Sequence, residues 1–494
     1  MIKKIVFFMV LLALVLPIAA QTIDQFQVPF VGGQGESGVK CPSIATNSRG
    51  DIMIVFRQKF QSIMYYFIKK STGAVTQVKL PGSKYKDIVI TSVVATADDN
   101  FHACWGEVYD TSGIGVYTAD FNIATETWSA PERIYTKYPE DSHLRVNPVN
   151  DDFALCVVLR QPNFAKDIYV LFRKSGQTAW SNEINLSTMP TQRSATNPYA
   201  HFDEAGYLHV VWKADRGSDD LIINAALIKK DTAGNYVVVD KKEVTSNYTG
   251  WHFLPSIAMT GTKGIITFCW SQQNGYYYLP YERNGDTLVF DQSKVIKLVS
   301  APMTPWYTFN SKAVAHGDEI MFTYFDLGHK LQLLRYKDGV WLDSTPITLG
   351  DMNINKAPFH LWADPNLGLW ATWFTEDQYG DGHSYYCLYN YPKPAIRPPV
   401  NVTYVRTMER SLFHGYWMYG VKWENNPDNI AKNIKVIKFN IYRRIHWSSA
   451  KWLAVGSVDG TVFSFGDKNG ITATSDYEYA VTAVNEKNIE SRLP

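Results

Sequence analysis

Charged and aromatic side chains recur where the long apolar runs of this chain stop or start. Arg57, Glu107, Arg160, Asp215, Asp326 and Glu376 each stand at the polar end of such a run. His143 with Arg145, Arg193, Trp251 with His252, and Trp306 stand near the start of others. Arginine presents a planar fork that matches a carboxylate, sulfate or phosphate. Tryptophan presents a flat face on which a sugar ring stacks. A histidine two residues from an arginine, as in "HLR" at 143–145, has the types that a polysaccharide lyase needs: a base, and a cation to neutralise a uronate carboxylate. Other chemistry is not written here. The chain has no G-x-S-x-G, no H-E-x-x-H and no Walker loop. The acidic stretches "DRGSDD" (215–220) and "EDQYGDGHS" (376–384) lack EF-hand spacing, and no His/Cys pattern has zinc spacing, so no metal and no other cofactor is expected.

The elements that carry these residues repeat. "PSIATNSRGDIMIVFRQ" (42–58) and "PSIAMTGTKGIITFCWSQ" (255–272) are nearly the same phrase. Five related phrases complete a set of seven: 92–107, 145–161, 197–215, 311–326 and 357–376. Each has a short apolar run, a polar turn, then a strongly apolar run with a polar end. The turns fall at Gly50, Asn100, Asp152, Gly206, Gly264, Gly317 and Gly368. Further runs follow in most copies, such as "DIYVLFRK" and then "SNEINLS". They are short, rich in Val, Ile, Tyr, Phe and Trp, and bounded by turn residues, which predicts strands. Four strands in about fifty residues make one propeller blade. The expected fold is all-β: a seven-bladed β-propeller over residues 21–392, then an immunoglobulin-like β-sandwich. The last blade is expected to borrow "TIDQFQVPF" (22–30) as its outer strand, which would hide an open edge.

In such a blade the second strands end, and the first strands begin, on one face. The residues named above are therefore expected around one mouth of the ring, with Arg57, Glu107, Arg160, Asp215 and Glu376 nearest the axis. Loops that vary on a rigid frame are where binding residues concentrate.

Turns after the third strands read "RKSGQTAW" and "YKDGVW". They resemble, in degenerate form, the Asp-box of sialidase-like (BNR-repeat) propellers. The resemblance implies the propeller fold. It does not extend to sialidase chemistry, because the F-R-I-P signature of the family is missing from the first repeat. The stretch 393–400 is a Pro-rich linker, and 401–494 is similar to a fibronectin type III module, with Trp423 and "YEYAVTAVN" as its marks. That resemblance implies a spacer or accessory binding unit, and Tyr477 as a corner tyrosine.

Residues 1–20 read as a secretory signal peptide: Lys3 and Lys4, an apolar run, then small residues before a cut after Ala20. The mature protein is expected outside the cell or in the periplasm, as a monomer with no membrane span. Net charge is +1 with 19% charged residues, which argues against nucleic acid as a partner. Five cysteines do not form a framework. Cys104, Cys156 and Cys269 are expected to be buried and unpaired, and Cys41 with Cys387 is the one pair whose blades adjoin. The function expected from all this is binding of an extracellular glycan or protein ligand at the propeller mouth. The alternative is a carbohydrate-active enzyme, a lyase or glycoside hydrolase.

Overall fold

The computed structural model describes residues 23–27, 39–58, 63–69, 75–80, 88–108, 113–161, 165–181, 183–188, 194–217, 220–271, 273–300, 311–326, 330–351, 359–364, 368–376, 382–389, 396–410, 415–431, 434–446, 452–485 and 491. The chain divides into two compact units between Tyr391 and Pro392. The first unit is the propeller. Its seven sheets are antiparallel, four- or five-stranded, and each is built from consecutive chain except the last. The first strands of blades 1 to 7 are Val39–Thr46, Ile88–Ala95, Pro139–Val146, Ser194–Phe202, His252–Thr260, Ser311–His316 and Phe359–Asp364. In blade 7 the outer strand is Ile23–Gln27, paired with Gly382–Tyr389 from Ile23 opposite Tyr389 to Gln27 opposite Tyr385. The ring is thus closed by the two ends of the repeat array. Residues 1–22, and 393–395 of the linker, lie outside the described residues.

The second strands form the hydrophobic centre of each blade. Phe101–Glu107 and Glu319–Phe325 are buried at every position, because both faces of a blade pack on its neighbours. Cys104, Cys156 and Cys269 sit in these strands, buried with free thiols. Gly206 turns the first hairpin of blade 4 with φ +84°, where a Cβ would also meet the Asn147 side chain. The tryptophans of the degenerate boxes close the seams between blades. Trp128 of blade 2 packs edge-on against Tyr65 of blade 1, and Trp341 of blade 6 against Tyr278 of blade 5. Trp180 of blade 3 lies beside His102 of blade 2.

Ion pairs reinforce the same seams. Arg173 of blade 3 grips Asp120 of blade 2 through two nitrogens, at 2.9 and 2.8 Å, and His102 Nδ1 meets the same carboxylate at 2.7 Å. Arg283 of blade 5 repeats the device on Asp203 of blade 4, with His209 as the third member. Burial of Asp120 works to raise its pKa, but the bonds from His102 and Arg173 outweigh it and hold the carboxyl well below the usual range.

The second unit is a β-sandwich. One sheet holds Val400–Arg410, Gly415–Glu424 and Ser464–Asp467; the other holds Leu453–Asp459, Val436–Ile445 and Tyr477–Asn485. Val421, Trp423, Phe439, Ile441, Tyr479 and Val481 fill the space between them. The tyrosine hydroxyl that reaches the backbone at this corner belongs to Tyr419, which donates to Ser475 O at 2.9 Å. The expected corner residue Tyr477 lies instead under the Arg443 guanidinium, 4.7 Å from its ring centre. The reason is register: Tyr419 enters the corner from the facing sheet, and Tyr477 starts its strand beyond it.

Arg173→Ala should lower stability by about 1–3 kcal/mol, a range reduced for solvent screening because half of Asp120 is open to water. A urea-denaturation midpoint measures this. Because the folded Asp120 pKa is depressed, the contribution is present above about pH 4 and is lost as pH falls toward the folded value. An unchanged midpoint at pH 7 would remove the seam from the stability account.

Candidate functional site

Each first strand has a hydrogen-bonding partner on one side only. Its other edge faces the ring axis, where unpaired amides need acceptors. Five blades meet that need in one way: a first-strand side chain accepts from an amide of the next blade. Ser43 accepts from Val93 N (3.0 Å), Ser92 from Leu144 N (3.2 Å) and Ser256 from Ala313 N (2.9 Å). His143 Nδ1 accepts from Ala200 N (2.9 Å), and His360 Nδ1 from Ile44 N across the ring closure (3.4 Å).

The same position in blades 4 and 6 holds Tyr199 and Lys312. Neither continues the ring. Tyr199 reaches past blade 5 and donates its hydroxyl to Ala313 O at 2.9 Å. A lysine has no acceptor to offer. Around the Tyr199 ring the charged groups gather. The His143 ring lies 4.2 Å from it, the Arg145 guanidinium 5.3 Å and Lys312 Nζ 5.1 Å. Arg145 is anchored by Ala200 O at 2.9 Å and Leu144 O at 2.8 Å. One step nearer the strand starts, Asp141 is held by the Ser142 amide and by the Asn197 side chain. One step deeper, His201 meets Met259 O. Trp362 packs against clusters drawn from blades 1, 2 and 3.

The electrostatics follow from burial. Asp141 is pushed up to about 6 by burial, which Lys312 partly opposes. Lys312 is pushed down to about 8 by burial, with Asp141 opposing and Arg145 adding to the shift. His143 lies well below its ordinary value, through burial first and then the charges of Arg145 and Lys312. His201 falls to about 3, mainly through burial. Yet Asp141, Arg145, His201 and Lys312 all keep part of their surface open, so solvent reaches them along the axis. Groups shifted in this way, gathered in a concavity, mark functional sites more often than chance.

Of the residues singled out from sequence, His143 and Arg145 meet in this cluster, and His360 joins them. Six others lie elsewhere. Arg160 binds Glu140 through Nε at 2.7 Å and covers the Tyr138 ring at 4.3 Å. Glu107 is buried and accepts from Trp105 Nε1 at 3.0 Å. Asp215 caps Gly217 N at 2.9 Å, and Asp326 accepts from Lys330 N and Gln332 Nε2. His252 is enclosed by Tyr248, Phe268 and Trp270, with Nδ1 on Leu221 O at 2.8 Å. Trp251 bridges to Leu221. Asp215 and Asp326 therefore close their own loops. The side chains of Arg57 and Glu376, and all of Arg193 and Trp306, lie outside the described residues. Sequence reasoning passed over Asp141, Tyr199, His201 and Lys312. The signal was present: polar residues alternate inside "EDSHLRV" and "TNPYAHF", where a buried strand calls for apolar ones. Among the described residues no group of three metal-binding side chains comes together.

No protein-family model matches the chain, and no curated protein matches it by sequence. Solved structures resemble it in fold alone. The polysaccharide lyase Uly1 is 10% identical with a TM-score of 0.47, over 76% of this chain and 94% of that one. The Trypanosoma rangeli sialidase in complex with sialic acid is 10% identical with a TM-score of 0.41, over 94% and 87%. The Penicillium chrysogenum alpha-L-arabinanase complexed with arabinobiose is 12% identical with a TM-score of 0.40, over 61% and 93%.

A carboxyl whose pKa is raised on folding loses stability as pH rises. Between about pH 4, where the unfolded Asp141 ionises, and about pH 6, where the folded one does, the native state holds the extra proton. Asp141→Asn should flatten the fall in stability across that window. Thermal denaturation of both proteins from pH 4 to 7 measures it, and parallel curves would contradict the burial of this charge.

Proposed function

We propose that this is a secreted propeller protein that binds an extracellular glycan at the ring axis, through the cluster around Tyr199. The observation that carries the reading is the break in the inter-blade ring. Where five blades use Ser or His as a staple, blades 4 and 6 place an aromatic face and an amine. Among the described residues no carboxylate forms an ion pair with Arg145 or Lys312. A flat ring flanked by donors and one carboxylate suits a saccharide, whose hydroxyls need both donors and acceptors and whose C–H faces stack on aromatics. The leader-like residues 1–20 support export. The C-terminal sandwich, fibronectin-like in its sequence marks, fits a spacer or accessory binding unit.

Binding is favoured over catalysis by one feature. A general base needs a free lone pair. The Nδ1 lone pair of His143 is already engaged by the Ala200 amide, and burial keeps the Tyr199 phenol protonated. The arginines that a sialidase reading would gather take separate partners: Arg160 pairs with Glu140, and Arg216 with Asp220 and Glu243. A lyase or hydrolase acting at this cluster would have to use the Asp141 carboxylate as its base in place of His143 or Tyr199.

Calorimetry against a panel of neutral, uronate-bearing and sulfated oligosaccharides tests the reading. Lys312→Met should weaken the best binder about 10- to 100-fold, the effect of losing a charged hydrogen bond. Equal affinity in the variant would move the ligand off the axis. Release of an unsaturated uronate product from any panel member would replace binding by elimination chemistry.

A further inference from the structure

A neutral imidazole has one lone pair and one N–H. In His360 the Ile44 amide takes the lone pair on Nδ1, so the hydrogen sits on Nε2. His360 is only 7% exposed, and among the described residues its Nε2 meets no hydrogen-bond partner. The same argument applies to His143. The Ala200 amide occupies Nδ1, the ring is neutral, and Nε2 carries the hydrogen. That Nε2 faces the Arg145 guanidinium at 2.6 Å. Arginine has no lone pair to accept with, so this is donor against donor. Lys312 adds further donors, and its charge acts on both histidines, as does that of Arg145. Donors from blades 3, 6 and 7 thus share one region of the axis, and two imidazole N–H groups there lack an acceptor. A protein normally satisfies such groups when it buries them, and orphaned donors in a native fold ask for an explanation.

We propose that this region binds a compact oxyanion, the carboxylate or sulfate ester of an acidic sugar, held by the N–H groups of His143, Arg145, Lys312 and His360. An oxyanion placed between His143 Nε2 and Arg145 turns the donor–donor contact into two charge-assisted hydrogen bonds. It also gives His360 Nε2 its missing acceptor. The inference rests on the axial reading of the function and adds the chemical class of the ligand: sugars that carry an acidic substituent, bound by that substituent.

The test uses the full chain and two simple probes, inorganic sulfate and acetate, titrated at constant ionic strength made up with chloride. Calorimetry and the histidine side-chain NMR signals follow binding. One saturable site per chain is expected, filled by sulfate if the group recognised is a sulfate ester and by acetate if it is a carboxylate. His360→Asn keeps an oxygen where Nδ1 stood, so the Ile44 amide retains its acceptor while the Nε2 donor is lost. Lys312→Met keeps the aliphatic stem and touches no inter-blade bond, so it remains a test if the first variant does not fold. At least a tenfold loss of anion binding in either variant supports the site. The absence of saturable binding by both anions, or undiminished binding in both variants, overturns it. Anion binding without any oligosaccharide binding would remove the glycan reading and leave the oxyanion site. Oligosaccharide binding that is weakened by Lys312→Met, with no saturable binding of either anion, would do the reverse.

Discussion

An inner strand of a propeller is an edge strand that cannot be left open. It pairs with its own blade on one side, and its other row of amides faces the axis, where no strand lies alongside. Side chains of the neighbouring blade must supply the acceptors. Ser43, Ser92, His143, Ser256 and His360 do so, each to an amide one blade further round. The axis is polar because the backbone requires it, before any ligand is considered.

That requirement makes a binding site available at small structural expense. A chain that must keep polar side chains on its axis can exchange one or two of them for groups that bind instead of staple. Under the proposed function Tyr199 and Lys312 are such exchanges; Arg145 and His143 lie around the Tyr199 ring. The two histidines serve both purposes at once. Each accepts an amide through one nitrogen and so carries a fixed N–H on the other, and the staple thereby settles the tautomer. The charges are held there against their own solvation. Asp141 and Lys312 are both shifted toward neutrality by burial, and each partly restores the other.

The remainder of the ring holds this geometry still. Tryptophans of the degenerate boxes wedge the seams, and the Arg173–Asp120 and Arg283–Asp203 pairs tie blade to blade at the far face. Side chains at the opposite mouth have local duties. Asp215 and Asp326 close the loops that follow their own strands, and Arg160 is neutralised by Glu140. A strand that leaves the core must satisfy the first amides of its loop, and an acid at the strand end does this at short range.

Repeats, turn residues and apolar runs determined the seven blades, the N-terminal strand that closes the last of them and the second unit. Those features depend on period and composition, which a single sequence displays. His143 and Arg145 were visible as chemistry-bearing types on first strands. Their partners were not. Tyr199 and Lys312 stand in "NPYAHF" and "SKAVAH", and nothing within either phrase says that the two side chains meet. They come from blades 4 and 6 and approach only because the ring closes, a contact between residues more than a hundred positions apart. The tautomers of His143 and His360 likewise depend on amides in other blades. The sequence by itself determined which strands exist and in what order. Only the tertiary structure decided which of their polar residues face one another, because that is set by the closure of the ring and not by any local period.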